Sequence, residues 1–354
     1  MTPRIYLDHA ATTPMRPEAI VAVAEGMARW ANPSSPHGEG RAARRALEDA
    51  RARIAAALGW DGEVILTSGA SEALSIGLGR VKRERRLISA VEHDAVLRAA
   101  PQADILPIVD GEPDADFLNT YLTSGPPPVV AIQSINSETG TGLLPYVRNP
   151  AIAAIREAGG LLLTDCSQSA AERRLPDADM IVVSGHKLGG PVGIGALLVR
   201  DLATIIPTGG HEFGYRAGTE NLPGALGFAA ALEAGGIDEW QTSVEDRFAF
   251  KDRLYEGGEV ISPGVQCSHI FAVAMEGMSA VAQLIRLDAL GFAVSAGSAC
   301  SSGTLKESRA LAAFGVPPEV AVRTIRVSIG WSTTSSDLER FADAYRSMAD
   351  KLRV

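Results

Sequence analysis

Between Val64 and Val199 short apolar runs alternate with stretches of helical period. Seven runs read as strands: Val64–Thr67, Leu87–Val91, Ile105–Val109, Val129–Ser134, Leu161–Thr164, Met180–Val183 and Ala196–Val199. Each is bounded by glycine, proline or polar residues. "NPAIAAIREAGG" between two of them has a helical pattern, and "GPPP" is a stiff lead into a strand. This alternation predicts βαβ units and a mostly parallel, doubly wound sheet. Upstream, "EGRAARRALEDARARIAAALGW" puts Leu47, Ala50, Ile54 and Leu58 on one helix face, with Gly59 as its stop. Its Arg and Glu residues read as a solvated face.

The pattern changes near Gly235–Gly236. Residues 236–266 are polar and predict no clear element. "HIFAVAM", "AVSAGSACSSG" and "TIRVSIGW" then read as strands, and "DLERFADAYRSMADKL" as a closing helix. A second, smaller α+β unit is expected there.

Polar residues follow the apolar runs closely. In an open parallel sheet, ligands bind beyond the C-terminal strand ends. Thr67 to Ser71, His93, Asp165 with Gln168, and Ser184, His186 and Lys187 all stand just after strand candidates. One sheet brings them to one crevice. "TSGASEA" is a small-residue turn entering a helix, either an anion cup with Ser71 adding a hydroxyl or a plain cap. Ser184 and His186 complete such a shell or form a polar turn. Asp165 is a carboxylate at the end of a buried run, which requires a cation, a cap or a salt bridge. A protonated pyridine nitrogen is one such cation. His93 is a ring that stacks on a flat cofactor and moves protons, or a structural histidine. Lys187 in a partly desolvated crevice becomes a nucleophilic amine able to condense with an aldehyde. Arg326 offers a bidentate fork to a carboxylate or to a domain-interface acid.

Composition narrows the classes. The chain has 354 residues, enough for two domains, and 46% are hydrophobic. A net charge of -9 argues against nucleic acid as a partner. Three cysteines, Cys166, Cys267 and Cys300, make neither a disulfide framework nor a zinc cluster, so no metal is expected. Packing accounts for Cys166 and Cys267. Cys300 sits among small residues, in a segment expected to be mobile and exposed. "MTPRIYLDHAATTP" lacks the apolar run of a signal peptide, and no run of about 18 apolar residues suggests a membrane span. A cytoplasmic protein is expected.

Taken together, "YLDHAATTP", "NPSSPHGEGR", "TSGASEA", "EHDAV", "TDCSQS", "SGHKLGGPVGIGAL", "GGHEFGYRAGTEN" and "SAGSACSSG" resemble the pyridoxal-phosphate (PLP)-dependent cysteine desulfurases of the class V aminotransferase superfamily. The resemblance implies fold type I, with a large domain over 15–235. A small domain made of 1–14 and 236–354 carries the cysteine loop. It implies that Lys187 is the Schiff-base lysine, His93 the stacking histidine and candidate base, and Asp165 the acid at the pyridine nitrogen. Gln168 matches the group beside the phenolic oxygen. Ala70, Ser71, Ser184 and His186 match the phosphate shell, and Thr219 a threonine reaching the phosphate of a second subunit in a homodimer. Arg326 matches the binder of the carboxylate of L-cysteine, and Cys300 the cysteine that takes the sulfur and hands it to an acceptor protein. Iron–sulfur cluster assembly and tRNA thiolation are among the pathways so supplied.

The chain departs from the family pattern in places. Ser137, expected to contact the cofactor, stands where asparagine is usual, and Asn136 beside it is expected to contact substrate. Ser71 replaces a threonine, Trp331 replaces a basic or smaller residue, and the end at "DKLRV" is short. Three other readings share Lys187 and Asp165. They are a class V transaminase, a lyase acting on selenocysteine or cysteine sulfinate, and a degenerate paralogue that binds a partner and keeps PLP for stability.

Overall fold

The computed structural model describes residues 4–144, 149–170, 174–296 and 308–352. Among them, seven strands form one sheet: β1 (Glu63–Thr67), β2 (Arg86–Ser89), β3 (Asp104–Leu106), β4 (Val129–Ala131), β5 (Leu161–Asp165), β6 (Met180–Ser184) and β7 (Gly195–Val199). Their order is β1-β7-β6-β5-β4-β2-β3. Strand β7 runs antiparallel to both neighbours, and the other pairs are parallel. Each strand coincides with an expected run, with shifted ends. The chain leaves β2 at Ser89 because the amide of Glu92 turns back to the Ser89 carbonyl. The third run is split: Ile108–Val109 pairs with Glu112–Pro113 as a separate hairpin.

Strand side chains alternate faces, so the sheet divides its apolar residues between two cores. Val64, Leu66, Ile181, Val183, Ala196 and Leu198 pack on one side. Ile65, Met180, Val182, Leu197 and Val199 pack on the other. Burial on both faces explains why these strands are apolar at successive positions.

Four helices bear on the site or its surroundings: α1 (Pro17–Ala28), α2 (Gly38–Ala57), α3 (Ala70–Gly77) and α4 (Asp94–Ala99). Helix α2 buries Leu47, Ala50 and Ile54 as the spacing predicts, and Gly59 leaves it with φ +62°. Full burial of Leu47 or Ile54 contributes about 1.5–3 kcal/mol each. The solvated polar face expected of α2 needs one correction. Arg51 is buried and forks onto Glu212, with Nη1 to Oε2 at 2.5 Å and Nη2 to Oε1 at 3.0 Å. Glu212 also accepts the Leu66 amide, pinning the 209–221 loop to β1. A period count does not reveal a partner 161 residues away.

A third core gathers Phe250, Leu254, Val260, Phe271, Val273, Val327, Phe341 and Tyr345, together with Ile5 and Leu7 from the N-terminus. Its sheet is antiparallel: Glu259–Ile261, Ile270–Ala274 and Thr324–Ser328. Residues 236–266, unassigned from sequence, contain helix Val244–Gly257. It opens on a capping box between Ser243 and Asp246. Of the run "AVSAGSACSSG", residues 297–303 lie outside the described residues; its first residue ends strand Phe292–Ala293, which pairs in parallel with Ile5–Tyr6. No helix among the described residues is long and apolar enough to cross a membrane.

Candidate active site

The C-terminal ends of the parallel strands open into a cavity of about 770 Å³. Three of its walls follow from local chain geometry. After β1 the chain turns through Gly69 at φ +145° into α3. A Cβ at Gly195, on the adjacent strand, would lie 2.8 Å from the Gly69 Cα, so the close approach of these strands requires glycine. Ala70 and Ser71 open α3, where first-turn N–H groups have no intrahelical acceptor and attract an anion. Glu72 reaches back to the Ser68 amide at 2.5 Å and pairs with Arg216 at 3.1 Å.

At the end of β5, Asp165 Oδ1 accepts the Ser167 amide at 2.9 Å. Among the described residues no partner is found for Oδ2. Gln168 donates to the Ala10 carbonyl at 2.9 Å and lines the cavity. After β6, a single 3₁₀ turn, Gly185–Lys187, carries the lysine. The N-terminal segment holds that turn: the Thr13 amide donates to the His186 carbonyl at 2.9 Å, and its hydroxyl to the Lys187 carbonyl at 3.2 Å. The Lys187 amine has no hydrogen-bond or ion-pair partner among the described residues. Burial pulls its pKa below the ordinary lysine value; Arg326 adds to the fall, while Asp165 and Asp8 oppose it. That is an amine shifted toward its nucleophilic form.

His93 caps α4, its Nδ1 accepting the Ala95 amide at 3.2 Å. Burial, and then the charge of Lys187, lower its pKa. A neutral ring bonded this way carries its proton on Nε2. The ring lines the cavity. Its face remains suited to stacking.

Arg326, from strand Thr324–Ser328, lines the cavity but is already tied down. Nη2 donates to Asp8 Oδ1 and Ser295 Oγ, both at 2.8 Å, and Nη1 to the Ser137 carbonyl at 2.9 Å. Its buried Nε has no hydrogen-bond partner among the described residues. Asp8 was not legible as a partner from sequence, because 318 residues separate the two. Asn136, expected to touch substrate, spends its side chain on its own loop. Oδ1 accepts from Glu138 N, Thr139 N and Thr139 Oγ1, and Nδ2 donates to the Val91 carbonyl. Ser137, Ser184 and His186 line the cavity as expected. His186 Nδ1 lies 3.1 Å from Thr12 Oγ1, and burial followed by Lys187 lowers its pKa. Thr219 is exposed and outside the cavity lining. Cys300 lies outside the described residues. Trp331 donates to the Pro14 carbonyl at 2.8 Å beneath the Arg16 guanidinium, so this departure ties the turn after strand Thr324–Ser328 to the N-terminal segment.

Two acids escaped the sequence reading, Glu92 buried and Glu138 half-buried. Ser308 Oγ donates to Glu138 Oε2 at 2.6 Å, and burial raises the Glu138 pKa. Glu92 Oε1 accepts Ser89 Oγ at 2.6 Å and Gln133 N at 2.7 Å. Burial drives the Glu92 pKa up to about 8, with Asp165 adding to it. "EHDAV" contains the signal: a glutamate just past a strand end is carried into the crevice with its neighbour. The native state therefore holds a proton on Glu92 that the unfolded chain releases near pH 4.5. Stability from this group is complete below pH 4.5 and is lost as pH rises to about 8. Glu92→Gln keeps a neutral side chain and is expected to remove up to about 4 kcal/mol of that pH dependence. Thermal melts of both proteins from pH 5 to 8.5 check it. A melting difference that stays constant over this range rules the assignment out.

No cluster of three or more His, Cys, Asp or Glu is placed to hold a metal among the described residues. The unpartnered atoms fit a different guest. An anion cup at α3, a free carboxylate oxygen at Asp165 and a free amine at Lys187 suit a phosphorylated pyridine aldehyde.

The sequence matches the family described as Aminotransferase class-V over residues 5–341. It is 36% identical to a cysteine desulfurase of Gluconacetobacter diazotrophicus, covering 99% of this chain and 94% of that one. It is 33% identical to the cysteine desulfurase IscS of Dictyoglomus turgidum, covering 100% and 96%. A NifS-like protein of Rickettsia africae superposes with a TM-score of 0.85 at 26% identity, over 98% of this chain and 99% of that one. A structure titled SspA in complex with cysteine superposes with a TM-score of 0.78 at 26% identity, over 93% and 100%.

Proposed function

The chain belongs to the class V aminotransferases and, within them, to the cysteine desulfurases, and from that premise we propose the reaction and the role of each residue. The substrate is L-cysteine, the product is L-alanine, and the sulfur leaves as a persulfide on Cys300. The observation that carries this reading is the convergence of the free Lys187 amine and the free Asp165 oxygen in one cavity, from two neighbouring strands. The names of the relatives favour a desulfurase over a transaminase or a selenocysteine or sulfinate lyase.

Pyridoxal phosphate, when bound, supplies an electron sink for a carbanion at the substrate Cα. Lys187 anchors it and afterwards moves the Cα proton. Asp165 would stand as the acid partner of the ring nitrogen. Ala70 and Ser71 at the start of α3, with Ser184 and His186, take the phosphate. His93 and Gln168, both in the cavity lining, would hold the ring. Arg326 takes the substrate carboxylate through the donor capacity left beside Asp8. The Cys300 thiolate attacks the substrate sulfur. The Cβ–S bond breaks, an S–S bond forms, and a proton returns to Cβ as alanine departs. Purified protein with L-cysteine and a thiol reductant should release alanine and sulfide in equal amounts. Keto-acid-dependent transamination with no sulfide would overturn the reading.

The division into 15–235 and 1–14 with 236–354 is part of this proposal; the packing of Ile5 and Leu7 into the third core supports it. So is a homodimer with Thr219 reaching across. Helix α1 and its exit expose Ile20, Val21, Met27 and Trp30, the last at 80%, an apolar patch that a second copy covers. Sedimentation at the mass of one chain would sink the dimer. The buried free thiols of Cys166 and Cys267 suit a reducing cytoplasm. An acceptor protein takes the persulfide sulfur onward.

A further inference from the structure

Strand β2 ends at Ser89, and His93 caps α4 four residues later. The carbonyls between them point away from any strand ladder and need other donors. All three accept from side chains. Arg309 Nη1 donates to the Ala90 carbonyl at 2.5 Å, and Arg309 Nη2 to the Glu92 carbonyl. Gln133 Nε2 and Asn136 Nδ2 donate to the Val91 carbonyl between them. The donors come from two separate segments, 133–136 and Arg309, and grip one tripeptide.

Arg309 itself is fixed at its root. Ser308 caps the helix that Arg309 begins, accepting the Leu311 amide at 3.0 Å, and its hydroxyl donates to Glu138 across the cavity. Arg309 also stands 3.5 Å from Asp94 Oδ1. Helix α4 is only six residues long, too short to hold its own cap rigidly. The ring that this cap carries faces Lys187 and Asp165 across the cavity.

We propose that Arg309 is a positioning residue of the reaction: by gripping the carbonyls of Ala90 and Glu92 it fixes the turn on which His93 is mounted. Asn136 joins it as the donor to Val91, which gives that residue a role without substrate contact. Loss of the fork turns two carbonyls toward water and frees the ring from its stacking position. The proposal rests on the assignment of His93 to the cofactor face, so its test needs a readout that does not depend on turnover.

That readout is the His93 imidazole, followed by nitrogen-15 NMR in the cofactor-free protein. In the wild type the ring should show one tautomer, protonated at Nε2, and a pKa below the ordinary histidine value. Arg309→Ala should mix the tautomers and move the pKa toward about 6.5. Arg309→Gln retains a single donor group and should fall between. Unchanged His93 signals in both variants would overturn the proposal, whatever the enzyme turns over. In the loaded enzyme, Arg309→Ala should lower kcat about 10- to 100-fold, because a misplaced group costs that much. KM for cysteine should change far less. His93→Ala combined with Arg309→Ala should be no slower than His93→Ala alone. Fully additive losses would show Arg309 acting elsewhere and would likewise refute it. Should Arg309→Ala fail to fold, Arg309→Gln carries the same three measurements.

Discussion

Lys187→Ala is expected to give a folded, colourless protein whose L-cysteine turnover has fallen by roughly 10³-fold or more. The amine serves twice in the proposed reaction, as cofactor anchor and as carrier of the Cα proton, and no described residue duplicates it. The variant should fold because the amine contributes little to stability. It has no hydrogen-bond partner among the described residues, and burial makes its charge costly, which is why its pKa is depressed. A group whose folded pKa is lowered favours the unfolded chain at pH values where that chain is charged. Near pH 7 the alanine variant should therefore melt at or above the wild-type temperature when both lack cofactor. Visible absorbance after incubation with excess pyridoxal phosphate reads the first half of the prediction, and calorimetry the second. A yellow Lys187→Ala protein would remove the covalent anchor from the reading. A collapsed melting temperature would make the lysine structural.

Cys300→Ser should separate cofactor chemistry from sulfur transfer. The variant keeps the residues of the cavity and should be as yellow as the wild type. Sulfide release from L-cysteine should drop by at least about 10²-fold, because a serine hydroxyl is not ionised where a thiol, with a pKa of about 8.5, is partly thiolate. After a pulse of substrate, wild-type protein should carry one sulfur on Cys300, seen as a mass increase that a reductant removes. Cys166 and Cys267 are not substitutes. Both are buried, and burial drives the Cys166 thiol well above its ordinary value. Full turnover by Cys300→Ser would transfer the sulfur-accepting role to another group, and a persulfide mapped to Cys267 would name it.

Local pattern was a reliable guide to the large sheet. Each of the seven strands is a short apolar run closed by a turn, and local burial suffices to specify it. The strand order was not legible, because it depends on crossovers and on the reversal of β7. The stretch beyond residue 235 was read less fully. Its helix Val244–Gly257 buries Arg247, Phe250, Leu254 and Gly257 but has charged residues on most of its surface, which hides its period. The capping box at its start was a usable signal.

The site divides in the same way. Sequence by itself determined the chemical groups and their stations: Lys187, Asp165, Ser184, His186 and Ser71 each follow a strand, and strand ends of one parallel sheet share one crevice. The three-dimensional structure alone decided what those groups are bonded to. It tied Arg326 to Asp8, held the Lys187 turn with Thr13, buried Glu92 so that its pKa rises, and closed Arg309 over the turn of His93. The physical reason is range. A strand and its terminal residue are set by neighbours a few positions away. A hydrogen bond between residues 90 and 309 depends on how two cores pack, and no spacing along the chain encodes it.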